Sequence, residues 1–195
     1  MVRRLAKEQV NQLPLYGGLK LSDIKIIETE LDAYEAKSAL ESESHLGFDT
    51  ESKPIFRRAE SSPGPTLIQL ATDSCGFLFP VKFAAALSAV RGILSNQAIQ
   101  KVGFGLTGDS KELRKLNIDI VNTLDLSVKL KSLTSDKNPI GARAAVAMVL
   151  RERLGKGAQR SNWGQYPLQQ HQILYAANDA HAAICVKQGL DRLLR

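Results

Sequence analysis

The chain of 195 residues is 44% hydrophobic and 24% charged, a composition that fits a folded domain and excludes an intrinsically disordered protein. No apolar run is long enough to span a bilayer, and the start MVRRLAKEQV lacks the apolar stretch of a secretory signal, so we expect a cytoplasmic protein without membrane contact. The net charge of +6 favours a polyanionic partner without identifying it.

The N-terminal part of the chain predicts an arm, a helix and three strands. Residues 1–21 mix charged residues with Pro14 and a Gly-Gly pair, so we expect an arm ahead of a single domain over residues 22–195. Helical composition with an acidic face follows at residues 31–40. Strand-like segments lie at residues 45–50, 66–71 and 76–81. The last two are separated by Thr-Asp-Ser and predict a hairpin, which makes an antiparallel meander of the three strands.

Helices and strands alternate in the middle of the chain. Helical patterns at residues 82–95 and 109–116 precede strand-like segments at residues 99–104 and 120–124. Such alternation is typical of crossover units with parallel strands. From there on all patterns are helical, at residues 126–133, 140–154 and 168–194. The sequence therefore predicts an α/β fold with a mixed sheet of about five strands, a meander followed by parallel strands, flanking helices and a helical C-terminal third.

One glycine-rich motif suggests a nucleotide cofactor and is rejected. Residues 103–108 read GFGLTG, which matches the G-x-G-x-x-G motif of dinucleotide-binding folds between a predicted strand and a predicted helix. Asp109 follows the third glycine, where a pyrophosphate would bind at the helix N-terminus, and its carboxylate would repel the phosphates. We therefore expect no nicotinamide cofactor.

Two carboxylates lie close together at the end of the first predicted strand of the meander. Asp49 and Glu51 are two residues apart, so both side chains point to one face while Leu46 and Phe48 point to the other. The pair fits either a solvated strand end or two oxygen ligands of a divalent cation.

Further polar residues occupy predicted helices. Asp109 and Glu112 fit a capping box at a helix start, a role that does not exclude metal binding. Tyr175 and Asp179 are four residues apart in LYAANDAHAA and are therefore neighbours on one helix face. That face is either an exposed side of a terminal helix or a tightly packed one, and in the second case Asp179 would be costly to bury without a partner.

Together these residues resemble the motifs of a known family. The chain is similar to the DEDDy group of 3'-5' exonucleases, within the DnaQ-like and ribonuclease H-like superfamily, in three motifs: Asp49-x-Glu51 in GFDTES, Asp109 in KVGFGLTGD and Tyr175-x-x-x-Asp179. The linking segments PTLIQLAT, GFLFPV and LGKGAQRSNWGQYPLQQHQ add to a resemblance with ribonuclease D and with the exonuclease domain of the Werner syndrome helicase.

The resemblance implies hydrolysis of phosphodiester bonds at the 3' ends of DNA or RNA, with release of nucleoside 5'-monophosphates. It also implies two divalent cations, Mg²⁺ or Mn²⁺, held by the four carboxylates. In that scheme Asp49 bridges the two cations and Asp109 serves the second one. Glu51 and Asp179 complete the site that binds the attacking water, which Tyr175 orients or deprotonates.

Substrate contacts are less specific in the sequence. Basic side chains near the first and third motifs fit either phosphate contacts or a solvated surface. The candidates are Lys53, Arg57, Arg58, Lys156 and Arg160, together with the hydroxyl of Thr50. Trp163 fits a packing anchor better than a base-stacking residue, and the histidines fit ordinary polar roles. The competing function is a nucleic-acid-binding module that keeps this fold without turnover.

Overall fold

The computed structural model of the chain describes residues 3–54, 62–134, 136–155 and 157–195. Within them, six strands form one mixed sheet in the order β1-β4-β3-β2-β5-β6. The strands are β1 (Ile24–Ile26), β2 (His45–Glu51), β3 (Leu67–Ala71), β4 (Gly76–Pro80), β5 (Gln100–Gly103) and β6 (Thr123–Asp125). Strands β2, β3 and β4 form the predicted antiparallel meander, whereas β5 is parallel to β2, β6 to β5 and β1 to β4.

Helices cover both faces of the sheet. They are α1 (Lys7–Gln12), α2 (Glu30–Glu41), α3 (Ala84–Leu94), α4 (Leu106–Arg114), α5 (Leu126–Thr134), α6 (Ala142–Val149) and α7 (Gln170–Leu193). Helices α2 and α3 pack on the face that carries Leu46 and Phe48 of β2. Helix α7 crosses the opposite face, in contact with the four central strands, and α6 packs on α7. Among the described helices, none has the length and apolar character to cross a membrane.

The predicted α/β fold with a mixed sheet is confirmed, with one strand more than the five expected. Strand β1 has only three residues at the edge of the sheet, too few for a period-two pattern to be recognised. Strand β6 begins at Thr123 rather than at residue 120, because the N–H of Val121 donates to the carbonyl of Leu94 at the end of α3. Both differences come from contacts between segments distant in sequence.

Two helix ends also differ from the prediction, each for a local backbone reason. Helix α4 begins at Leu106, three residues before Asp109. The start is fixed by Gly105, which takes a positive φ of 73°. It is also fixed by the carboxylate of Asp125, which accepts from the N–H groups of Gly105 and Leu106. Helix α6 ends at Val149 rather than at residue 154. Arg151 has a φ of 60°, which is incompatible with a right-handed helix at this position.

Helix α7 lies close against the sheet. Its small residues Ala176, Ala177, Ala180 and Ala183 are fully buried. Gly47 faces Ala180, and a methyl group at Gly47 would clash with the Ala180 carbonyl oxygen. Because Asp179 immediately precedes Ala180, this close contact fixes the distance between Asp179 and strand β2.

The segment before β1 packs against α7. The Tyr16 hydroxyl lies 2.8 Å from Nδ1 of His181, and Nε2 of His181 lies 3.0 Å from the Asp73 carbonyl. Because a carbonyl only accepts, Nε2 carries the proton and Nδ1 accepts from Tyr16. The N–H of Leu19 donates to Oδ1 of Asn178 at 2.7 Å. Tyr16 and Leu19 thus hold α7 at positions next to Asp179. His181 makes hydrogen bonds to neighbouring groups, which is the ordinary polar role predicted for it.

Candidate active site

Three carboxylates meet between β2 and α7. Asp49 and Glu51 lie on the face of β2 that points to α7, and Asp179 comes from the facing helix. One carboxylate oxygen from each of the three lies within 4.8 Å of the others. The period of two along β2 and the close approach of α7 at Gly47 produce this arrangement. The structure therefore brings together three of the four carboxylates that the sequence motifs predicted.

The fourth carboxylate, Asp109, is held beside this group. It lies in the first turn of α4, where its Oδ1 accepts a hydrogen bond of 2.5 Å from the Thr50 hydroxyl. Thr50 stands between Asp49 and Glu51 in the strand, so its side chain points to the other face and reaches α4. Thr50, a predicted substrate contact, thereby connects Asp109 to the strand that carries Asp49 and Glu51.

The predicted capping box at the start of α4 is wrong. The first N–H groups of the helix are bound by Asp125 from the end of β6, not by Asp109. Glu112 accepts hydrogen bonds from the Ser62 hydroxyl and the Lys115 ammonium, each at 2.6 Å. The carboxylate of Asp109 is therefore not used in capping.

Burial raises the pKa values of the site carboxylates, and for Asp49 and Glu51 the charges of the neighbouring carboxylates add to the shift. Burial and the charges of Asp179, Asp109 and Glu51 hold the pKa of Asp49 well above its usual range. Burial and the charges of Asp179 and Asp109 raise the pKa of Glu51 to about 8. Burial raises the pKa of Asp179 to about 6, while Tyr175 and Arg143 act in the opposite direction. Such mutual repulsion favours binding of protons or of cations at this site.

The donor set fits hard divalent cations. Within the described ranges, no salt bridge involves any of the four carboxylates, so no lysine or arginine neutralises them directly. Carboxylate oxygens are the ligands that Mg²⁺ and Mn²⁺ prefer, and the group contains neither cysteine nor histidine. Asp49, Glu51 and Asp179 could hold one cation, with Asp109 close by for another.

Tyr175 lies one helical turn before Asp179 and faces the same group. Burial, followed by the charge and hydrogen bonding of Asp179, raises the pKa of the Tyr175 phenol, which keeps it protonated and able to donate. The ring packs against Trp163, with 6.1 Å between the ring centroids. Trp163 is only 3% exposed, so the predicted packing role is confirmed and base stacking by this side chain is excluded.

A basic cleft that the sequence did not predict adjoins Asp179 and Tyr175. This open cleft of about 360 Å³ also has Arg4, Arg143 and Gln159 in its lining. Nη2 of Arg143 donates to Oε1 of Gln159 at 3.2 Å, and the charge of Arg143 lowers the pKa of Asp179. Nothing in the local sequence distinguishes Arg143 from other arginines, because its position depends on the packing of α6 against α7.

The other predicted substrate contacts have varied outcomes. Lys53 is exposed, and its aliphatic carbons lie against Gly164. Arg160 is exposed on the segment before Trp163. Lys156, Arg57 and Arg58 lie outside the described residues. Contact of any of these side chains with a substrate stays a prediction.

A sheet with flanking helices that gathers acidic side chains from β2, α4 and α7, beside a basic cleft, fits the class of metal-dependent nuclease domains. More specifically, the chain belongs to the 3'-5' exonuclease family, whose model matches residues 24–195. The family resemblance and the enzyme class predicted from the sequence motifs are thereby confirmed.

Three of the curated relatives have names that include the word exonuclease. The chain is 31% identical over 174 residues to the human exonuclease mut-7 homolog, covering 75% of this chain and 20% of that protein. It is 28% identical over 152 residues to the mouse bifunctional 3'-5' exonuclease/ATP-dependent helicase WRN, covering 76% of this chain and 11% of that protein. A 3'-5' exonuclease of Arabidopsis thaliana is 28% identical over 165 residues, which cover 82% of this chain and 54% of the relative. The chain thus spans between about a tenth and a half of these proteins.

Solved structures share the fold. The Nibbler EXO domain of Aedes aegypti superposes with a TM-score of 0.77 at 23% identity, covering 90% of both chains. The catalytic core of RRP6 from Trypanosoma brucei gives 0.78 at 22% identity, covering 96% of this chain and 55% of that one. Ribonuclease D from T. brucei, solved in complex with RNA U12, gives 0.76 at 20% identity, covering 94% and 64%.

Proposed function

We propose that this chain is a metal-dependent 3'-5' exonuclease that removes nucleoside 5'-monophosphates one at a time from the 3' ends of DNA or RNA. The observation that carries the proposal is the group of Asp49, Glu51 and Asp179 oxygens within 4.8 Å of one another, in a chain of the 3'-5' exonuclease family. The catalytic unit in this proposal is a single domain over residues 22–195.

Two divalent cations, Mg²⁺ or Mn²⁺, are the proposed cofactors. Asp49, Glu51 and Asp179 would hold one cation. Asp49 and Asp109 would hold the other cation, and the hydrogen bond from Thr50 orients Asp109 toward it. When bound, such cations make a water more acidic and offset the charge that develops on the leaving oxygen. The protein contributes a rigid arrangement of ligands, since β2 and α7 cannot separate without exposing the buried alanines between them.

Tyr175 is proposed to position the attacking water. Its phenol faces the Asp179 carboxylate and stays protonated, so it can donate one hydrogen bond and accept another. Packing against the buried Trp163 fixes the ring. A hydroxyl held in this way selects one orientation of a water beside the carboxylates.

The cleft with Arg4 and Arg143 is proposed to bind phosphates of the substrate. Both side chains line the cleft that Asp179 and Tyr175 also line, and in this proposal the reacting phosphate lies beside Asp179 and Tyr175. A guanidinium can bind two phosphate oxygens at once, and its positive charge opposes the repulsion between the carboxylates and a polyanion. The complex of the related T. brucei ribonuclease D with RNA supports a nucleic-acid substrate.

Replacing Asp49 by asparagine tests the proposed function. Asp49→Asn keeps the side-chain shape and removes the charge that would bridge the cations, so shortening of a 5'-labelled strand in Mg²⁺ should fall by at least about 100-fold. The matched control is Asp119→Asn, which removes a charge from an exposed aspartate and should leave the rate unchanged.

Two results would contradict the proposal. One is an Asp49→Asn protein that degrades the strand at the wild-type rate. The other is a wild-type protein that binds the strand in Mg²⁺ and never shortens it, which would establish the competing binding module. DNA, RNA and recessed duplexes are compared in the same assay, because the preferred strand depends on contacts around the 3' end.

A further inference from the structure

Gln69 is a buried glutamine whose amide group has no hydrogen-bond partner among the described residues. It lies in the middle of β3 with a relative exposure of 0%. Neither Nε2 nor Oε1 makes a hydrogen bond within the described part of the chain. Buried polar groups are nearly always hydrogen-bonded, and leaving both ends of an amide without a partner lowers the stability of the fold. An uncompensated amide at the centre of a sheet therefore requires an explanation.

The chain contains a second buried glutamine that shows the usual arrangement. Gln172, in the first turn of α7, is 3% exposed. Its Oε1 accepts from the N–H of Gln169 at 2.9 Å, and its Nε2 donates to the Ser161 hydroxyl at 2.8 Å. Burial alone does not deprive a glutamine of partners in this protein.

The position of Gln69 relates it to the carboxylates. In the antiparallel pair of β2 and β3, Gln69 stands directly opposite Asp49, while its neighbour on β4 is Leu78. Side chains directly opposite each other point to the same face with about 5 Å between Cβ atoms, a distance that a glutamine and an aspartate span by rotation of their side chains. Along its own strand Gln69 is flanked on that face by Leu67 and Ala71, which offer no polar side chain.

We propose that Gln69 is a positioning residue for the cation site, where its Nε2 donates a hydrogen bond to the Asp49 carboxylate when the cations are bound. The bond would use one lone pair of Asp49 and direct the others toward the ligand positions shared with Glu51 and Asp179. Ligating carboxylates commonly need such a partner behind them. This inference rests on the proposed function, since it requires Asp49 to be a ligand.

The test separates stability from cation affinity with one substitution. Gln69→Met replaces the amide by an apolar group of similar length. The unfolding temperature of the chelator-treated variant should equal or exceed that of the wild type, because the unpartnered amide is gone. The affinity for Mn²⁺, measured by calorimetry on the folded protein, should fall about 10- to 100-fold. A smaller apolar variant, Gln69→Leu, should weaken Mn²⁺ binding in the same way.

Gln172→Met is the matched control, because it removes an amide that is hydrogen-bonded. It should lower the unfolding temperature and leave the Mn²⁺ affinity unchanged. The inference is overturned if either folded Gln69 variant binds Mn²⁺ with wild-type affinity. If instead the wild type binds no Mn²⁺ and Asp49→Asn retains full activity, the proposed function fails and the role of Gln69 fails with it.

Discussion

Single residues at the site act mainly through their charges. Asp49, Glu51 and Asp179 lie close enough to repel one another. In the described structure, Arg143 is the one basic side chain that offsets this repulsion, because its charge lowers the pKa of Asp179. The carboxylates therefore destabilise the cation-free fold, and the proposed divalent cations would relieve the same repulsion. Stability and the proposed cation binding would be linked through the same side chains.

Glu51→Gln should reveal this linkage through its dependence on pH. The pKa of Glu51 is raised from 4.5 to about 8 in the folded protein. Between these values the unfolded chain loses the proton that the folded, cation-free protein keeps, so the free energy of unfolding falls as the pH rises. The Glu51→Gln variant does not lose this stability, because glutamine has no carboxyl group to titrate. In urea unfolding with chelator, its stability relative to the wild type should increase steadily from pH 5 to pH 8.

Glu43→Gln, at an exposed position, serves as the control and should follow the wild type at every pH. Parallel stability curves for Glu51→Gln and the wild type would contradict the electrostatic description of the site.

At the scale of helices and strands, the site depends on how closely α7 approaches β2. Gly47 and the buried alanines of α7 leave room for no larger side chain at this contact. The long helix and the strands of the meander were predictable, because each carries its own pattern over several residues. Strand β1 and the start of α4 were not, because an edge pairing and a cap from Asp125 of the next strand determine them.

The site likewise contains residues that local sequence patterns predict and residues that depend on contacts between distant segments. Asp49, Glu51, Tyr175 and Asp179 were predictable, since spacings of two and four place side chains on one face and the motifs resemble a family. Arg143 and Gln69 were not, because their significance depends on helix packing and on cross-strand register. Short-range periodicity therefore predicts the acidic side chains that one element carries, whereas the side chains that other elements bring next to them require the structure.

Gly47→Ala should damage both stability and activity. The added methyl group would clash with the Ala180 carbonyl oxygen and displace α7, and with it Asp179. We expect a loss of about 2 to 4 kcal/mol in the free energy of unfolding and a reduced exonuclease rate in the fraction that folds. Urea unfolding and the strand-shortening assay measure the two effects.

Gly92→Ala is the matched control, since nothing lies within 4 Å of a methyl group at this exposed position in α3. This substitution should stabilise the helix by about 0.5 to 1 kcal/mol without changing the rate. A Gly47→Ala protein as stable and as active as Gly92→Ala would show that the close helix–sheet contact is unimportant.

At the scale of the whole molecule, the net charge of +6 includes the four negative carboxylates of the site. The remaining surface is therefore more basic than the net charge suggests. The acidic group lies beside a cleft with two arginines. A polyanion would thus be attracted to the surface as a whole, and the proposed cation site would receive its reacting phosphate.

Arg143→Gln should weaken substrate binding more than turnover. Loss of one charge-assisted contact to phosphate should raise KM about 10-fold, and the dependence of KM on salt should become less steep. Arg91→Gln removes the same charge from α3, on the opposite face of the sheet, and is the control. If both variants have the wild-type KM and salt dependence, the cleft at Arg143 is not a phosphate site.

In the proposed function, the carboxylates hold divalent cations for cleavage at a 3' end. The most direct measurement follows a 5'-labelled strand with chelator-treated protein, before and after Mg²⁺ or Mn²⁺ is added. We predict no shortening in chelator, then a saturable dependence on the cation, a ladder that shortens from the 3' end and nucleoside 5'-monophosphates as products. Shortening at full rate in chelator, or cleavage that starts from the 5' end, would show that the protein is not a cation-dependent 3'-5' exonuclease.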